Sequence, residues 1–186
     1  MKVRIETHGC KLNTADSQRL ANEFARSGFV IASADEIPDV FILNSCTVTH
    51  GADKKARQAL SKAKKRFPEA IVVAAGCYAE NGTADLEELV ATDLVIPNTR
   101  KSEIVSIISA RAGLELHETS IDFAEVGQLL GRTRGAVKIQ EGCNQVCAYC
   151  IVPKVRGRER SIPKSEIVRD VQALSSAGCP EVVLTG

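Results

Sequence analysis

Val40-Phe41-Ile42-Leu43-Asn44-Ser45-Cys46 is an apolar run that stops at a thiol. It reads as a strand, and a segment of helical pattern follows it. The same order recurs where Val3 to Thr7 leads into His8-Gly9-Cys10, and where Ile71 to Ala75 leads into Gly76-Cys77. Strand, Cys turn, helix is thus written three times over. In a parallel α/β sheet the carboxyl ends of the strands share one edge, where ligands bind. Strand–helix–strand crossovers are right-handed almost without exception, so the turns emerge on the same side. Cys10, Cys46 and Cys77 are therefore predicted to meet. Three thiols at one edge suit a [4Fe-4S] cluster with one iron left free. The alternative is that each is a small buried apolar side chain, as free Cys often is.

Periodicity predicts helices from about Ala15 to Arg26, with Gly28 as a stop, and from about Ala52 to Arg66, ending before Pro68. Leu86, Leu89 and Val90 mark a third, Ile104, Ile107 and Ile108 a fourth, and Leu94 to Ile96 a strand. Residues 1–112 form, on this reading, an α/β domain with a parallel, Rossmann-like sheet, long enough to bury its own core. Residues 113–134 lose the pattern, and Glu115 to Glu125 holds four acids and no Lys or Arg, so this stretch reads as a linker. Residues 135–186 start again with a strand from Ala136 to Gln140, a helix from about Lys164 to Ser175 and a strand from Glu181 to Thr185.

Composition is that of an ordinary globular protein, with 44% hydrophobic and 25% charged residues and a net charge of +1. Seven cysteines in 186 residues stand out. Met1 to Thr7 is a short strand-like run rather than a secretory signal. No apolar stretch is long enough to span a membrane. In the cytoplasmic, reducing setting this implies, such cysteines are metal ligands or catalytic groups rather than disulfides.

Cys143, Cys147 and Cys150 make a second triad, at C-x3-C-x2-C spacing. That spacing fits one face of a [4Fe-4S] cube and leaves the fourth iron without a protein ligand. Zinc is the alternative, but it takes four ligands and no fourth Cys or His lies close by.

The second triad resembles the cluster motif of radical S-adenosylmethionine (SAM) enzymes. That resemblance implies that the open iron chelates SAM and that Tyr149 lies near its adenine. On its own Tyr149 reads equally as a packed aromatic. Pro153-x-x-Arg156-Gly157 matches the loop that follows in the superfamily, where Arg156 would line the cavity near SAM and substrate. Residues 135–186 then correspond to the first units of a (β/α) barrel.

With His8-Gly9-Cys10, Asn44-Ser45-Cys46 and Ala75-Gly76-Cys77-Tyr78 included, the chain resembles the methylthiotransferases from Val3 to Gly186. Cys46-Thr47-Val48-Thr49-His50-Gly51-Ala52-Asp53 is similar to the branch that modifies N6-threonylcarbamoyladenosine beside the tRNA anticodon. Branches acting on isopentenyladenosine or on a ribosomal-protein aspartate are the alternatives. The resemblance implies two [4Fe-4S] clusters, with SAM acting twice. It methylates sulfur at the Cys10/Cys46/Cys77 cluster and supplies a radical at the other, so that a methylthio group enters at C2 of the adenine. An electron donor and a sulfur source are implied as partners. A non-catalytic iron–sulfur RNA-binding module is the reading from a different class.

Family members continue through further strand–helix units. The chain is accordingly expected to be an N-terminal fragment, inactive alone, whose residues 136–186 are weakly protected because their apolar faces lack partners.

Lys54, Lys55, Arg57, Lys62, Lys64, Lys65 and Arg66 load the second helix with no acid between them, and read as a solvated face rather than an RNA contact. Between Gly131 and Arg169 nine Lys/Arg face three Glu, and Arg132, Arg134, Arg156, Arg158 and Arg160 flank the cluster loop as phosphate-binding candidates. Aromatics at 4% argue against a base-stacking platform. His8, Asn13, Asn44 and Gly76 are expected to shape the Cys turns, and Cys179 to be a structural thiol.

Overall fold

The computed structural model describes residues 1–82, 86, 92–115 and 134–186. The chain begins with β1 (Lys2–His8), α1 (Lys11–Arg26), β2 (Val30–Ile31), β3 (Val40–Ser45), α2 (His50–Arg66), β4 (Ile71–Gly76), α3 (Cys77–Asn81) and β5 (Leu94–Pro97). A 3₁₀ turn at Asn98–Glu103 and α4 (Ile104–Ala112) follow. The strands form one parallel sheet in the order β2-β1-β3-β4-β5. That doubly wound order reverses direction between β1 and β3, and the crevice beyond their carboxyl ends is where such sheets bind ligands.

The core follows from the strand period of two. Val3, Ile5, Val40, Ile42, Val73 and Ala75 face α1 and α4, packing on Leu20, Phe24, Ile104 and Ile108. Phe41, Leu43, Val72 and Ala74 face α2, packing on Ala56, Leu60, Ala63 and Phe67. Every residue of β3 is buried, because helices cover both faces of the sheet's centre. Leu86 lies in the second of these clusters, while Leu89 and Val90 fall outside the described residues. The two-residue β2 was not legible in advance, having too few residues to show a period, whereas α3 is the helical segment expected after Cys77.

The second part holds β6 (Gly135–Lys138), β7 (Gln140–Glu141), α5 (Val152–Arg156), β8 (Arg160–Ser161), α6 (Lys164–Ser176) and β9 (Val182–Thr185). β6 and β9 pair in parallel, the start of a β/α/β unit. The strand expected over 136–140 breaks at Ile139. Beyond it the chain pairs antiparallel with β8, a clamp that closes the base of the cysteine loop. The linker expected at 113–134 lies mostly outside the described residues.

This part is less isolated than its sequence implies. β6 packs on α1. The Gln18 side chain accepts from the Ala136 N–H (2.7 Å) and donates to the Arg134 carbonyl (3.4 Å). The outward side is open as expected: α6 buries no residue, and Val168 and Leu184 are exposed. Among the described residues no helix is long and apolar enough to cross a membrane.

Candidate functional site

The sheet register brings the first triad together. Residues Val3 to His8 pair with Val40 to Ser45, and Val40 to Ser45 with Ile71 to Gly76. The three strands therefore end level, and Cys10, Cys46 and Cys77 each follow within two residues of a strand end. The Cys46 N–H continues the ladder to the His8 carbonyl at 2.8 Å. Cys10 is the N-cap of α1, and Cys46 lies four residues before α2 begins at His50. Burial raises the pKa of the Cys46 thiol, and the nearby thiols of Cys77 and Cys10 add to the rise, so the three are within electrostatic reach.

A buried polar scaffold holds the turns. Asn44 Nδ2 donates to the Asn13 carbonyl and to Ser17 Oγ, both at 2.9 Å. Asn13 Nδ2 donates to Asn44 Oδ1 (3.2 Å), and the Cys10 thiol donates to Asn13 Oδ1 (3.1 Å). His8 Nε2 meets Glu6 Oε1 at 2.8 Å, a local pair rather than a ligand position.

Gly76 has φ +93° and ψ −160°, a region essentially reserved for glycine. A Cβ there would lie 2.5 Å from both Asn44 Oδ1 and the Ser45 carbonyl oxygen. Gly76→Ala should cost at least about 2 kcal/mol in denaturant titration. A loss below about 0.5 kcal/mol would show that the turn is slack.

Cys143, Cys147 and Cys150 lie on one loop between β7 and α5. The Cys143 N–H donates to the Gly157 carbonyl (3.1 Å) and the Cys150 N–H to the Cys147 carbonyl (3.0 Å). Gly142, at φ +77°, lets the loop pass the Arg158 carbonyl, which a Cβ would strike. Tyr149 is 93% exposed, so it is not the packed aromatic that was its plainer reading.

The two triads are joined through Asn98. Its Nδ2 lies 3.5 Å from Cys77 Sγ and 2.7 Å from the Val155 carbonyl of α5, the helix that ends the second loop. Next to Val155, Arg156 is buried rather than lining an open cavity. Its Nη1 donates to Asp16 Oδ2 and Glu141 Oε1, both at 3.1 Å. Burial opposes its charge, but Asp16, Cys77 and Glu141 offset that and keep it firmly protonated.

Asp16 is the hub of this cluster. Its side chain is 1% exposed and also meets Lys101 (2.9 Å) and Lys138 (2.8 Å). Burial alone would raise its pKa. Lys101, Lys138 and Arg156 override that and hold it well below the usual carboxylate range.

Sequence reasoning missed Asp16, Asn98, Lys101, Lys138 and Glu141. One signal was present: Asn13, Asp16 and Ser17 continue the stripe of Leu20, Ala21 and Phe24 at helical spacing, putting polar groups on a face that should be apolar. Of the flanking arginines, Arg134 pairs with Glu181 on the surface, Arg160 reaches Glu141 at 3.8 Å, Arg158 is exposed, and Arg132 lies outside the described residues. Cys179 accepts from the Gly135 N–H (3.1 Å) and donates to the Glu181 carbonyl (3.3 Å), a structural role.

Among the described residues no three His, Cys, Asp or Glu side chains converge tightly enough for a single metal ion. A four-iron cube takes each thiolate on a different iron, so its ligands stand wider apart than those of one ion. Arg156 Nη2 is buried with no hydrogen-bond partner among the described residues, and Cys77 acts on its charge. Sulfur anions beside Cys77 would complete it. The donor set and this orphan N–H fit a cluster.

Comparison with known proteins finds matches in both parts of the chain. Residues 2–97 match "Uncharacterized protein family UPF0004", and residues 137–186 match the radical SAM superfamily. The chain is 40% identical to the threonylcarbamoyladenosine tRNA methylthiotransferase MtaB of Aquifex aeolicus, covering all of this chain and 48% of that protein. It is 31% identical to MtaB of Bacillus subtilis, over 99% of this chain and 43% of that one. It is 32% identical to the tRNA-2-methylthio-N(6)-dimethylallyladenosine synthase of Opitutus terrae, over 100% and 47%. It thus spans about half the length of these relatives. The radical SAM methyltransferase TsrM of Kitasatospora setae, solved with cobalamin and a [4Fe-4S] cluster bound, superposes at TM-score 0.60 with 13% identity, over 99% of this chain and 47% of that one, a likeness of fold. With just over half of its residues matched by that profile, the chain belongs to the UPF0004 family, and a radical SAM segment follows that domain.

Proposed function

We propose that the protein carrying this chain is a tRNA methylthiotransferase that places a methylthio group on C2 of N6-threonylcarbamoyladenosine beside the anticodon. Cys10, Cys46 and Cys77 hold one [4Fe-4S] cluster and Cys143, Cys147 and Cys150 another, with SAM at the second. Bound there, these groups supply the radical chemistry and the sulfur carrier that a non-acidic adenine C–H requires. An electron donor and a sulfur source are the further partners, in a cytoplasmic setting.

The observation that carries this reading is the seam at Asn98 and Arg156, which sets Cys77 against the helix that ends the Cys143–Cys150 loop. The residues of the chain do the positioning. Asn98 ties α5 to the Cys77 turn. Arg156 keeps a positive charge behind that turn, where a thiolate-bound cluster carries negative charge. Gly76 and the Asn13–Asn44 pair fix the turns themselves. Tyr149, exposed on its loop, is free to lie against an adenine.

Similarity to the Opitutus synthase favours a second reading, isopentenyladenosine as the target base. The stretch Cys46 to Asp53 and the 40% identity to the Aquifex protein favour the first. The test is anaerobic incubation of the reconstituted protein with SAM, a reductant and tRNA bearing one base or the other, followed by mass spectrometry of the nucleosides. Methylthio gain on threonylcarbamoyladenosine alone is expected. Gain on isopentenyladenosine alone establishes the second reading, and no gain on either overturns both.

A further inference from the structure

β1 breaks the rule of its own sheet. Parallel strands of a doubly wound fold are apolar on both faces because helices cover both. Val3 and Ile5 obey on the α1 side, but Arg4, Glu6 and His8 occupy the other face. α2 packs over β3 and β4 and leaves that face of β1 uncovered. Between β1 and α2 runs a groove of about 490 Å³, lined by Arg4, Glu6, His8, Lys55, Lys62 and Arg66 among others.

Its charge is one-sided. Arg4 is built in: it donates to the Ala34 carbonyl at 2.7 Å and stands over the rings of Phe41 and Phe67 at 6.0 and 5.8 Å. Glu6, the only acid on the groove wall among the described residues, is engaged by His8 (2.8 Å) and more distantly by Arg4 (3.9 Å). Lys55, Lys62 and Arg66 are exposed and make no ion pair among the described residues. Four permanent cations thus face one carboxylate. Lys55, Lys62 and Arg66 recur on one side of α2, a row roughly 16 Å long at 1.5 Å per residue. That is longer than one phosphate group needs and suits a chain of phosphates. The groove ends at His8, two residues before Cys10 and hydrogen-bonded to Cys46.

We propose that this groove binds the phosphate backbone of the RNA substrate and leads it to the Cys10/Cys46/Cys77 edge. The inference rests on the tRNA reading above and adds the surface that holds the RNA. It also departs from the expectation that the α2 cations are merely solvated. Contacts of this kind position a nucleic acid without reading its sequence. They make affinity salt-dependent, because each neutralised phosphate releases counterions.

The test compares two double variants of the chain that remove equal charge from α2. Lys55→Ala/Lys62→Ala empties the groove wall, whereas Lys54→Ala/Lys65→Ala removes two lysines outside it. Binding of a transcribed tRNA without modifications is measured from low to near-physiological salt. The groove pair should weaken binding at least fivefold and flatten the log–log salt slope by about 1 to 2. The other pair should leave both close to wild type. Equal effects of the two pairs, or none from the groove pair, overturn the groove while the tRNA reading stands. Competition by polyglutamate as strong as by RNA also overturns it, in favour of an acidic protein partner. If the wild-type chain binds no RNA at all, the groove is overturned, while the tRNA reading stands or falls on the nucleoside assay above.

Discussion

Asp16→Ala is expected to release the radical SAM segment from α1 while the five-stranded sheet stays folded. The substitution removes the acceptor shared by Lys101, Lys138 and Arg156, whose side chains are only 14%, 12% and 3% exposed. Glu141 remains, but it already takes Lys138 and Arg156 at 3.1 Å and cannot neutralise three cations. Removing one partner from a buried ion cluster costs about 3–5 kcal/mol, because the stranded charges stay desolvated. The loss should appear as faster hydrogen exchange from Gly135 to Glu141, with Val40 to Leu43 unchanged. Unaltered exchange in β6 would show that the cluster does not hold the seam. Acid should act on the same group. The carboxyl of folded Asp16 titrates below its unfolded value of about 4, so its contribution is fully present above that pH. It is lost only as pH falls through the lower folded value. The seam should therefore survive the ordinary carboxylate range.

On the proposed function, Cys46→Ala is expected to halve the iron content of the chain and, in the full-length protein, to abolish methylthio transfer while SAM cleavage continues. Cys46 sits at the end of the central strand between the other two turns, and its backbone is held by the ladder bond to His8. Alanine keeps that bond and the local shape, so the structural cost should be about 1 kcal/mol. About four of eight irons should remain, all on the Cys143–Cys150 loop. A full complement of iron in this variant would show that Cys46 is a structural thiol and not a ligand.

The strands and the Cys positions were legible because runs such as Val40 to Leu43 are short, apolar and closed by small residues. Parallel topology then did the rest, since right-handed crossovers leave one edge for all three turns. Helix starts were less accurate: α1 begins at Lys11, directly at Cys10, four residues before the expected Ala15. Its first turn is polar because it builds the scaffold under the thiols. Arg156 was found for its loop motif, but its burial was not legible. That burial depends on Asp16, 140 residues away in sequence. The groove was hidden for the same reason. Arg4 and Lys62 are unremarkable surface residues until the sheet sets β1 beside α2.

The account stands most directly on the iron and acid-labile sulfide content of the anaerobically reconstituted chain. Two clusters on six cysteines predict about eight irons and eight sulfides per chain. Stoichiometric zinc without sulfide, or about four irons that vanish together when either triad is removed, would contradict it.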